Sequence, residues 1–205
     1  MTETPKLIAI RGLPVPEADG FYATTAQRLG ENFNGVLDFA PDYIRGSLQD
    51  ERSKLADVIG GILKEGFPVA ILALSGGAPV AVSTRSILPE TDPIAIAAVS
   101  GRLNSEKRSG YRTLEEIHER VSPLLADAVV SLDGDDSPLT SAMREKISSY
   151  RVEDGDELVH PDMTTLVGAL NLNTHVLASN HADGIGKIVW RRRNEIVSFL
   201  GGTEN

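Results

Sequence analysis

Two apolar runs are the features of this sequence that most restrict its fold. Residues 68–74 read PVAILAL and residues 93–99 read PIAIAAV, so neither run carries a polar side chain. A strand with one solvated face alternates apolar and polar residues, whereas a strand covered on both faces is apolar throughout. Both runs therefore predict central strands of a parallel sheet that lies between two layers of helices.

Four further segments complete a set of six predicted strands. They cover residues 6–11, 35–40, 148–153 and 174–178. The first of them is followed by GLPVPEADG, a stretch whose prolines and glycines break regular structure.

Helices are predicted between these strands. The clearest one covers residues 47–65, where apolar residues recur at spacings of three and four. Ser47 can cap its first turn and Gly66 follows its last turn. Further helices are predicted over residues 21–29, 77–88 and 185–200, and over residues 114–130 with a kink at Pro123. Ser137 is predicted to cap another helix. Residues 163–170 carry apolar side chains at helical spacing and predict one more.

The alternation of strand and helix continues along the whole chain. This pattern predicts βαβ units, and hence an α/β fold with about six mostly parallel strands and helices on both faces. The chain has 205 residues, of which 41% are apolar, which suits one globular domain over residues 1–205.

Composition narrows the setting in which the protein is expected to work. No window contains the roughly 20 consecutive apolar residues of a membrane-spanning helix, and the N-terminal residues do not resemble a signal peptide. The absence of cysteine excludes disulfides and thiolate metal sites. We therefore expect a cytoplasmic protein without a membrane span.

The charge of the chain also limits its partners. A net charge of −9 repels phosphate backbones, so a nucleic-acid partner is not expected. The one basic cluster, residues 191–193 beside Trp190, is too short for a nucleic-acid footprint and is interpreted as a solvated helix face. The sequence does not indicate an oligomeric state.

Ser75 ends the apolar run of residues 68–74, at a position that suits a catalytic side chain. It follows the third predicted strand and precedes Gly76 and Gly77, at the sheet edge where parallel sheets bind ligands. A tight strand-to-helix turn strains the serine backbone and requires small neighbours. Ser75 is therefore a candidate nucleophile. The alternatives are a plain glycine turn, or a phosphate-binding loop that lacks the P-loop lysine and the GxGxxG pattern.

A serine nucleophile needs a histidine base and a carboxylate that orients it. Of the four histidines, only His181 combines a predicted loop, the carboxyl end of a strand and small neighbours. His118 falls in a predicted helix, His175 in a strand, and His160 at a helix start. For the acid, the segment after the fifth strand offers Asp154 and Asp156, and Asp154 is interpreted as a turn former.

The order serine, acid, histidine, each after a successive strand, resembles the α/β-hydrolase fold. The segment ALSGG resembles the nucleophile elbow G-x-S-x-G, with Ala73 in place of the first glycine. GDELVHP resembles the acid segment of the family, SNHADG its histidine loop, and IAIRGLP its first strand and oxyanion turn. The resemblance covers residues 6–200, without the two strands that often open larger members.

The resemblance implies a serine-dependent, esterase-like hydrolase that needs no metal and no cofactor. It places the acid at Asp156, so the implied catalytic triad is Ser75, His181 and Asp156, with the Leu13 and Gly76 N–H groups as the oxyanion hole. Residues 101–148 stand where the family inserts its cap, and this insertion is short. We therefore expect a small-molecule substrate with a small or medium acyl group, as an ester, thioester or amide.

Arg11 and Arg102 follow strands at the same sheet edge as Ser75. A pair of guanidinium groups there predicts a clamp for a carboxylate or phosphate of the substrate. The alternative is that these arginines bond to local acids such as Asp38.

Two rival functions stay open from the sequence alone. One is a catalytically silent, hydrolase-like protein that binds a ligand or partner, because a fold does not imply an activity. The other is a doubly wound nucleotide-binding protein, which would lack the usual phosphate-binding motifs.

Overall fold

In a computed structural model, which describes residues 3–13, 19–133 and 138–203, six parallel strands form one sheet. The strand order is β2-β1-β3-β4-β5-β6, so strands from both halves of the chain pair with one another. The strands are β1 (Lys6–Ile10), β2 (Val36–Phe39), β3 (Val69–Leu74), β4 (Ile94–Val99), β5 (Ile147–Asp154) and β6 (Leu170–Leu177).

Among the described residues, six helices lie between strands and two follow the last strand, with one 3₁₀ turn at Pro161–Thr164. Within the described residues, no helix is both long and apolar enough to cross a bilayer. The helices are α1 (Asp19–Gly30), α2 (Leu48–Lys64), α3 (Gly77–Arg85), α4 (Leu114–Arg120), α5 (Pro123–Val130), α6 (Ser141–Glu145), α7 (His181–Arg191) and α8 (Arg193–Phe199).

The two central strands lie in the middle of the core, as their composition predicts. Every residue of β3 is buried, and in β4 only Ala95 is partly exposed. Side chains on one face of the sheet pack with α1, α7 and α8, and those on the other face pack with α2, α3 and α6. Burial on both faces explains why neither strand alternates with polar residues.

The segment between β4 and β5 contains α4, α5 and α6, and α5 packs beside the helix that follows Ser75. A small apolar cluster joins α5 to α3 and to the segment between β2 and α2. Its buried members are Tyr43, Val80, Leu124 and Ala128.

One helix prediction is wrong. Residues 163–170 do not form a helix, because Pro161–Thr164 makes only a single 3₁₀ turn. Gly168 has a φ of 79°, which lies outside the helical region. The chain then enters β6 at Leu170, which pairs with Ser148 of β5.

Two predicted long helices are each divided. The helix expected over residues 114–130 breaks where Ser122 caps α5 and Pro123 occupies its first turn. The helix expected over 185–200 is split at Arg192 into α7 and α8 and begins earlier, at His181. His181 is therefore the first residue of a helix rather than part of a loop. The predicted cap Ser137 lies outside the described residues, and Thr140 caps α6.

The basic cluster of residues 191–193 has a structural role that the sequence did not indicate. Arg191 donates a hydrogen bond to the carbonyl of His175 at 3.1 Å, and Arg192 donates to the carbonyl of Asn173. Lys187 donates to the carbonyl of Leu177 at 2.9 Å. These alternate carbonyls belong to the edge strand β6, so the basic side chains of α7 and Arg192 cover an edge that would otherwise be open to pairing.

Candidate active site

Ser75 occupies a sharp turn between β3 and α3. Its φ is 49°, in the left-handed region that a serine seldom adopts. The backbone is held there because the Ser75 N–H donates to the Val99 carbonyl at 2.8 Å and the Ala78 N–H donates to the Ser75 carbonyl at 3.0 Å. This strain at the carboxyl edge of the sheet is the geometry expected of a nucleophile elbow.

Glycines allow three chain segments to meet at this turn. A Cβ atom at Gly77 would lie 2.7 Å from the Ile10 carbonyl oxygen, which is too close for any side chain. A Cβ atom at Gly12 would lie 2.7 Å from the Ser75 Cβ, and one at Gly101 would lie 2.6 Å from the Ser75 carbonyl oxygen. The sequence indicated the need for Gly77, but Gly12 and Gly101 emerge only from the packing of the folded chain.

Ser100 sets the turn that carries Gly101. Among the described residues other than glycine, only Ser75 and Ser100 have a positive φ, and that of Ser100 is 48°. Ser100 follows β4, the neighbour of β3, and its N–H donates to the Tyr150 carbonyl at 2.9 Å. Two strained serines therefore lie at adjacent strand ends, and the second supports the first through Gly101.

His181 connects Ser75 to Asp156. Its Nε2 atom lies 2.7 Å from the Ser75 Oγ, and its Nδ1 atom lies 2.9 and 2.8 Å from the two carboxylate oxygens of Asp156. His181 and Asp156 are both only 6% exposed. An imidazole with its Nδ1 proton on the carboxylate can accept the hydroxyl proton at Nε2, so this arrangement is able to remove a proton from Ser75.

The Asp156 side chain is held by the loop that follows β5. Its Oδ1 atom accepts hydrogen bonds from the N–H groups of Leu158 and Val159, both at 3.0 Å. Gly155 makes the turn, with a φ of 88°, and a Cβ atom there would overlap the Ala178 carbonyl. Asp154 accepts a hydrogen bond from the Gly155 N–H at 2.8 Å, in keeping with its interpretation as a turn former.

Tyr111 supports the acid loop from the segment between β4 and β5. Its hydroxyl donates to the Asp156 carbonyl at 3.1 Å, and its ring meets that of His160 edge-on, with centroids 5.3 Å apart. Burial raises the pKa of the Tyr111 phenol, and the charges of Asp156, Asp154 and Glu157 raise it further. Tyr111 therefore keeps its donor proton at neutral pH. Sequence reasoning missed this residue, because nothing local marks it.

The turn before His181 is fixed by Asn180 and Asp183. Asn180 caps α7 by accepting from the Asp183 N–H at 2.9 Å, and Asp183 accepts from the Ser179 N–H at 2.8 Å. Hydrogen bonds from Lys187 and from the Ser179 N–H lower the pKa of Asp183 to about 2. This reciprocal pattern resembles a capping box, so the spacing of Asn180 and Asp183 was a usable signal that sequence reasoning overlooked.

The two predicted oxyanion donors are neighbours in the structure. A Cβ atom at Gly76 would lie 3.5 Å from the Leu13 nitrogen, which brings the β1 turn beside the elbow. Gly76 is also the N-cap residue of α3, where the helix dipole stabilises negative charge.

The two predicted clamp arginines make other contacts. Arg11 forms an ion pair with Asp38, including a 2.8 Å bond from its Nε, as the alternative reading expected. Arg102 is buried and donates to the carbonyls of Asn104, Glu106 and Arg112 at 3.1, 3.0 and 2.6 Å. These bonds organise the loop that carries Tyr111, and they do not join Arg102 to Ser75, His181 or Asp156.

The other histidines stand apart from this arrangement. His118 is exposed on α4, and His175 is exposed on β6, where it contacts Glu153 rather than the core. His160 caps the 3₁₀ turn by accepting from the Asp162 N–H at 3.2 Å. Across the described part of the chain, no group of three or more His, Asp and Glu side chains is arranged to hold a metal ion.

Comparison with known proteins identifies the fold. The sequence matches no family model and no curated protein. The structure is similar to that of the ydeN gene product from B. subtilis, at 15% identity and a TM-score of 0.62, with 95% of this chain and 100% of that chain covered.

Two further solved structures are similar over nearly their whole length. For the putative cell surface hydrolase from Lactobacillus plantarum WCFS1, the identity is 11% and the TM-score 0.63, with 97% of this chain and 93% of that chain covered. For the Bacillus licheniformis lipase BlEst2, the identity is 16% and the TM-score 0.58, with 95% of this chain and 92% of that chain covered. With its strand order and the turn at Ser75, the chain has the α/β-hydrolase fold.

Proposed function

We propose that this protein is a serine hydrolase that cleaves esters of small or medium acyl groups. The observation that carries the proposal is the continuous hydrogen-bond chain from the Ser75 Oγ through His181 to Asp156, which begins at a strained elbow. The structural neighbours from B. licheniformis, a lipase, and from L. plantarum, a putative cell surface hydrolase, add support.

In the proposed first half-reaction, the Ser75 Oγ attacks the acyl carbonyl carbon while the His181 Nε2 takes the hydroxyl proton. Asp156 holds the imidazole tautomer and stabilises the positive charge that His181 acquires. The carbonyl oxygen becomes an oxyanion, for which the Leu13 and Gly76 N–H groups are the proposed donors. Collapse of the tetrahedral intermediate releases the alcohol, which takes the proton from His181 and leaves Ser75 acylated.

In the second half-reaction, a water molecule attacks the acyl-enzyme, and His181 accepts its proton. The second tetrahedral intermediate then collapses, the acid is released, and Ser75 recovers its proton from His181. These steps need no group beyond the side chains and N–H groups already named. We propose that the substrate is a small molecule, because the segment between β4 and β5 contributes only short helices. A cytoplasmic location stays a prediction.

Covalent labelling tests the proposal directly. A fluorophosphonate probe should label Ser75 in the folded protein, and Ser75→Ala should abolish both the label and the turnover of p-nitrophenyl esters. Asp156→Asn should lower kcat by on the order of 10⁴-fold, because the imidazole loses its orienting carboxylate. Thioester and amide panels then separate the hydrolase classes.

Two negative results together would contradict the proposal: the probe does not label the folded wild-type protein, and the protein cleaves no member of the ester, thioester and amide panels. Such a result would favour the catalytically silent binding protein.

A further inference from the structure

Tyr43 is a buried residue whose hydroxyl reaches the turn that holds Leu13. It lies between β2 and α2, is 3% exposed, and donates a hydrogen bond to the Arg11 carbonyl at 2.7 Å. Arg11 is the last residue before Gly12 and Leu13. The bond therefore fixes the peptide unit from which the proposed oxyanion turn begins.

The ring of the same tyrosine lies beside Gly76, whose N–H is the second proposed oxyanion donor. A Cβ atom at Gly76 would lie 3.6 Å from the Tyr43 Cε1 and 3.5 Å from the Leu13 nitrogen. The Arg11 carbonyl oxygen would lie 2.9 Å from a Cβ atom at Gly77. Tyr43 therefore bonds to the β1 turn through its hydroxyl and lies beside Gly76 at the start of α3, next to both segments that carry the proposed oxyanion donors.

Tyr43 is itself held in place from α5. The Ser122 hydroxyl, which is fully buried, donates to the Tyr43 carbonyl at 2.8 Å and also accepts from the Leu125 N–H as the cap of α5. Tyr43 also belongs to a buried apolar cluster with Val80 and Leu124. A side chain fixed at its backbone, ring and hydroxyl can hold another segment in a defined position.

The turn needs such a support because of Gly12. No side chain is tolerated there, since a Cβ atom would collide with Ser75, and glycine leaves the backbone many accessible conformations. Rotation of the Arg11–Gly12 peptide would redirect the N–H groups that follow it. A hydrogen bond on the Arg11 carbonyl opposes that rotation.

We propose that Tyr43 is a positioning residue that holds the oxyanion turn in its productive conformation. The proposal rests on the proposed hydrolase function, because it assigns Tyr43 to the oxyanion donor Leu13. A merely structural tyrosine would satisfy its hydroxyl in the same way. The two roles differ in their effect on the transition state, since an oxyanion forms only after nucleophilic attack.

Tyr43→Phe tests this role, because it keeps the ring and removes only the hydroxyl. With an ester that the wild type hydrolyses, kcat should fall by about 10- to 100-fold, less than the 10²- to 10³-fold loss typical when an oxyanion donor is removed outright. KM should change by less than about 3-fold, since oxyanion contacts add little to ground-state binding. Affinity for a trifluoromethyl ketone, whose hemiketal oxygen occupies the oxyanion position, should fall in step with kcat/KM.

Tyr150→Phe is the matched control. Tyr150 is also fully buried, but it lies in the core that packs with α1, α7 and α8, and no hydrogen bond joins its hydroxyl to Arg11, Gly12 or Leu13, so kcat and ketone affinity should match the wild type. Ser122→Ala provides a second variant, because it removes the bond to the Tyr43 carbonyl. It should lower kcat and ketone affinity in the same direction, and it decides the question if Tyr43→Phe does not fold.

The outcomes separate this proposal from the proposed function. If the wild type is active and labelled at Ser75, but Tyr43→Phe retains full kcat and ketone affinity, the positioning role is overturned and the hydrolase function stands. A kcat loss without a matching loss of ketone affinity likewise overturns the positioning role. If the folded wild type is neither active nor labelled, the hydrolase function fails and this proposal fails with it.

Discussion

Gly12 and Ser75 are packed in direct contact. A Cβ atom at Gly12 would lie 2.7 Å from the Ser75 Cβ and 3.2 Å from its Oγ. The first turn of the sheet therefore presses against the side chain proposed as the nucleophile. Residues 63 positions apart in the sequence therefore constrain one another at this point.

Gly12→Ala should damage both stability and activity. The added methyl group must displace Ser75 or the β1 turn, so we expect the free energy of unfolding to fall by about 1–3 kcal/mol and kcat to fall by on the order of 100-fold or more. Urea unfolding and ester hydrolysis measure the two effects. Gly61→Ala is the control, since Gly61 lies within α2 and, apart from its chain neighbours and the backbone of its own helix, no atom lies within 4 Å of a Cβ position there. Gly61→Ala should raise the free energy of unfolding by up to about 1 kcal/mol and leave kcat unchanged.

Arg102→Ala should destabilise the loop that carries Tyr111 and should not change the preference between anionic and neutral substrates. Three carbonyls lose a guanidinium donor, so we expect a loss of about 3 kcal/mol or more in the free energy of unfolding. Turnover of anionic and neutral esters should fall by the same factor. A selective loss for anionic esters would instead support the clamp that Arg11 and Arg102 suggested from the sequence.

Tyr111 should ionise at a higher pH than an exposed tyrosine. Burial and nearby carboxylates raise its pKa in the folded protein, so the neutral phenol and its bond to the Asp156 carbonyl are favoured. The stability from this bond is complete below the unfolded pKa of about 10 and is lost as pH rises through the folded value. Subtracting the ultraviolet titration curve of Tyr111→Phe from that of the wild type should reveal a phenol that titrates above pH 10. A difference curve centred at or below pH 10 would contradict this.

Asp183 should make the protein sensitive to acid. Its pKa is lowered from 3.8 to about 2, so its ionised form adds stability at pH values above about 4, and that stability disappears as pH falls from about 4 to 2. Because the group is partly solvated, we expect its contribution to be at most about 1 kcal/mol. Between pH 6 and pH 3, the free energy of unfolding measured with urea should fall less for Asp183→Asn than for the wild type. Equal losses would show that the group does not contribute.

The elements of the fold could be predicted from the sequence because their causes are local. The apolar composition of β3 and β4 reports burial on both faces, and the glycines after Ser75 report a tight turn. The prediction failed over residues 163–170, where apolar spacing suggested a helix. A proline-initiated 3₁₀ turn and the positive φ of Gly168 prevail there, and Leu170 finds a strand partner in β5.

The sequence by itself determined the order of strands and helices and the position of Ser75 at a strand end, because side-chain burial and backbone sterics act over a few residues. Beyond the triad that the family resemblance implies, it did not determine which distant residues meet. Only the tertiary structure brings His181 to 2.7 Å from a serine 106 positions away, and only the tertiary structure places Gly12, Tyr43 and Tyr111 around the site. Such contacts depend on how loops leave the sheet edge, and no local pattern encodes that geometry.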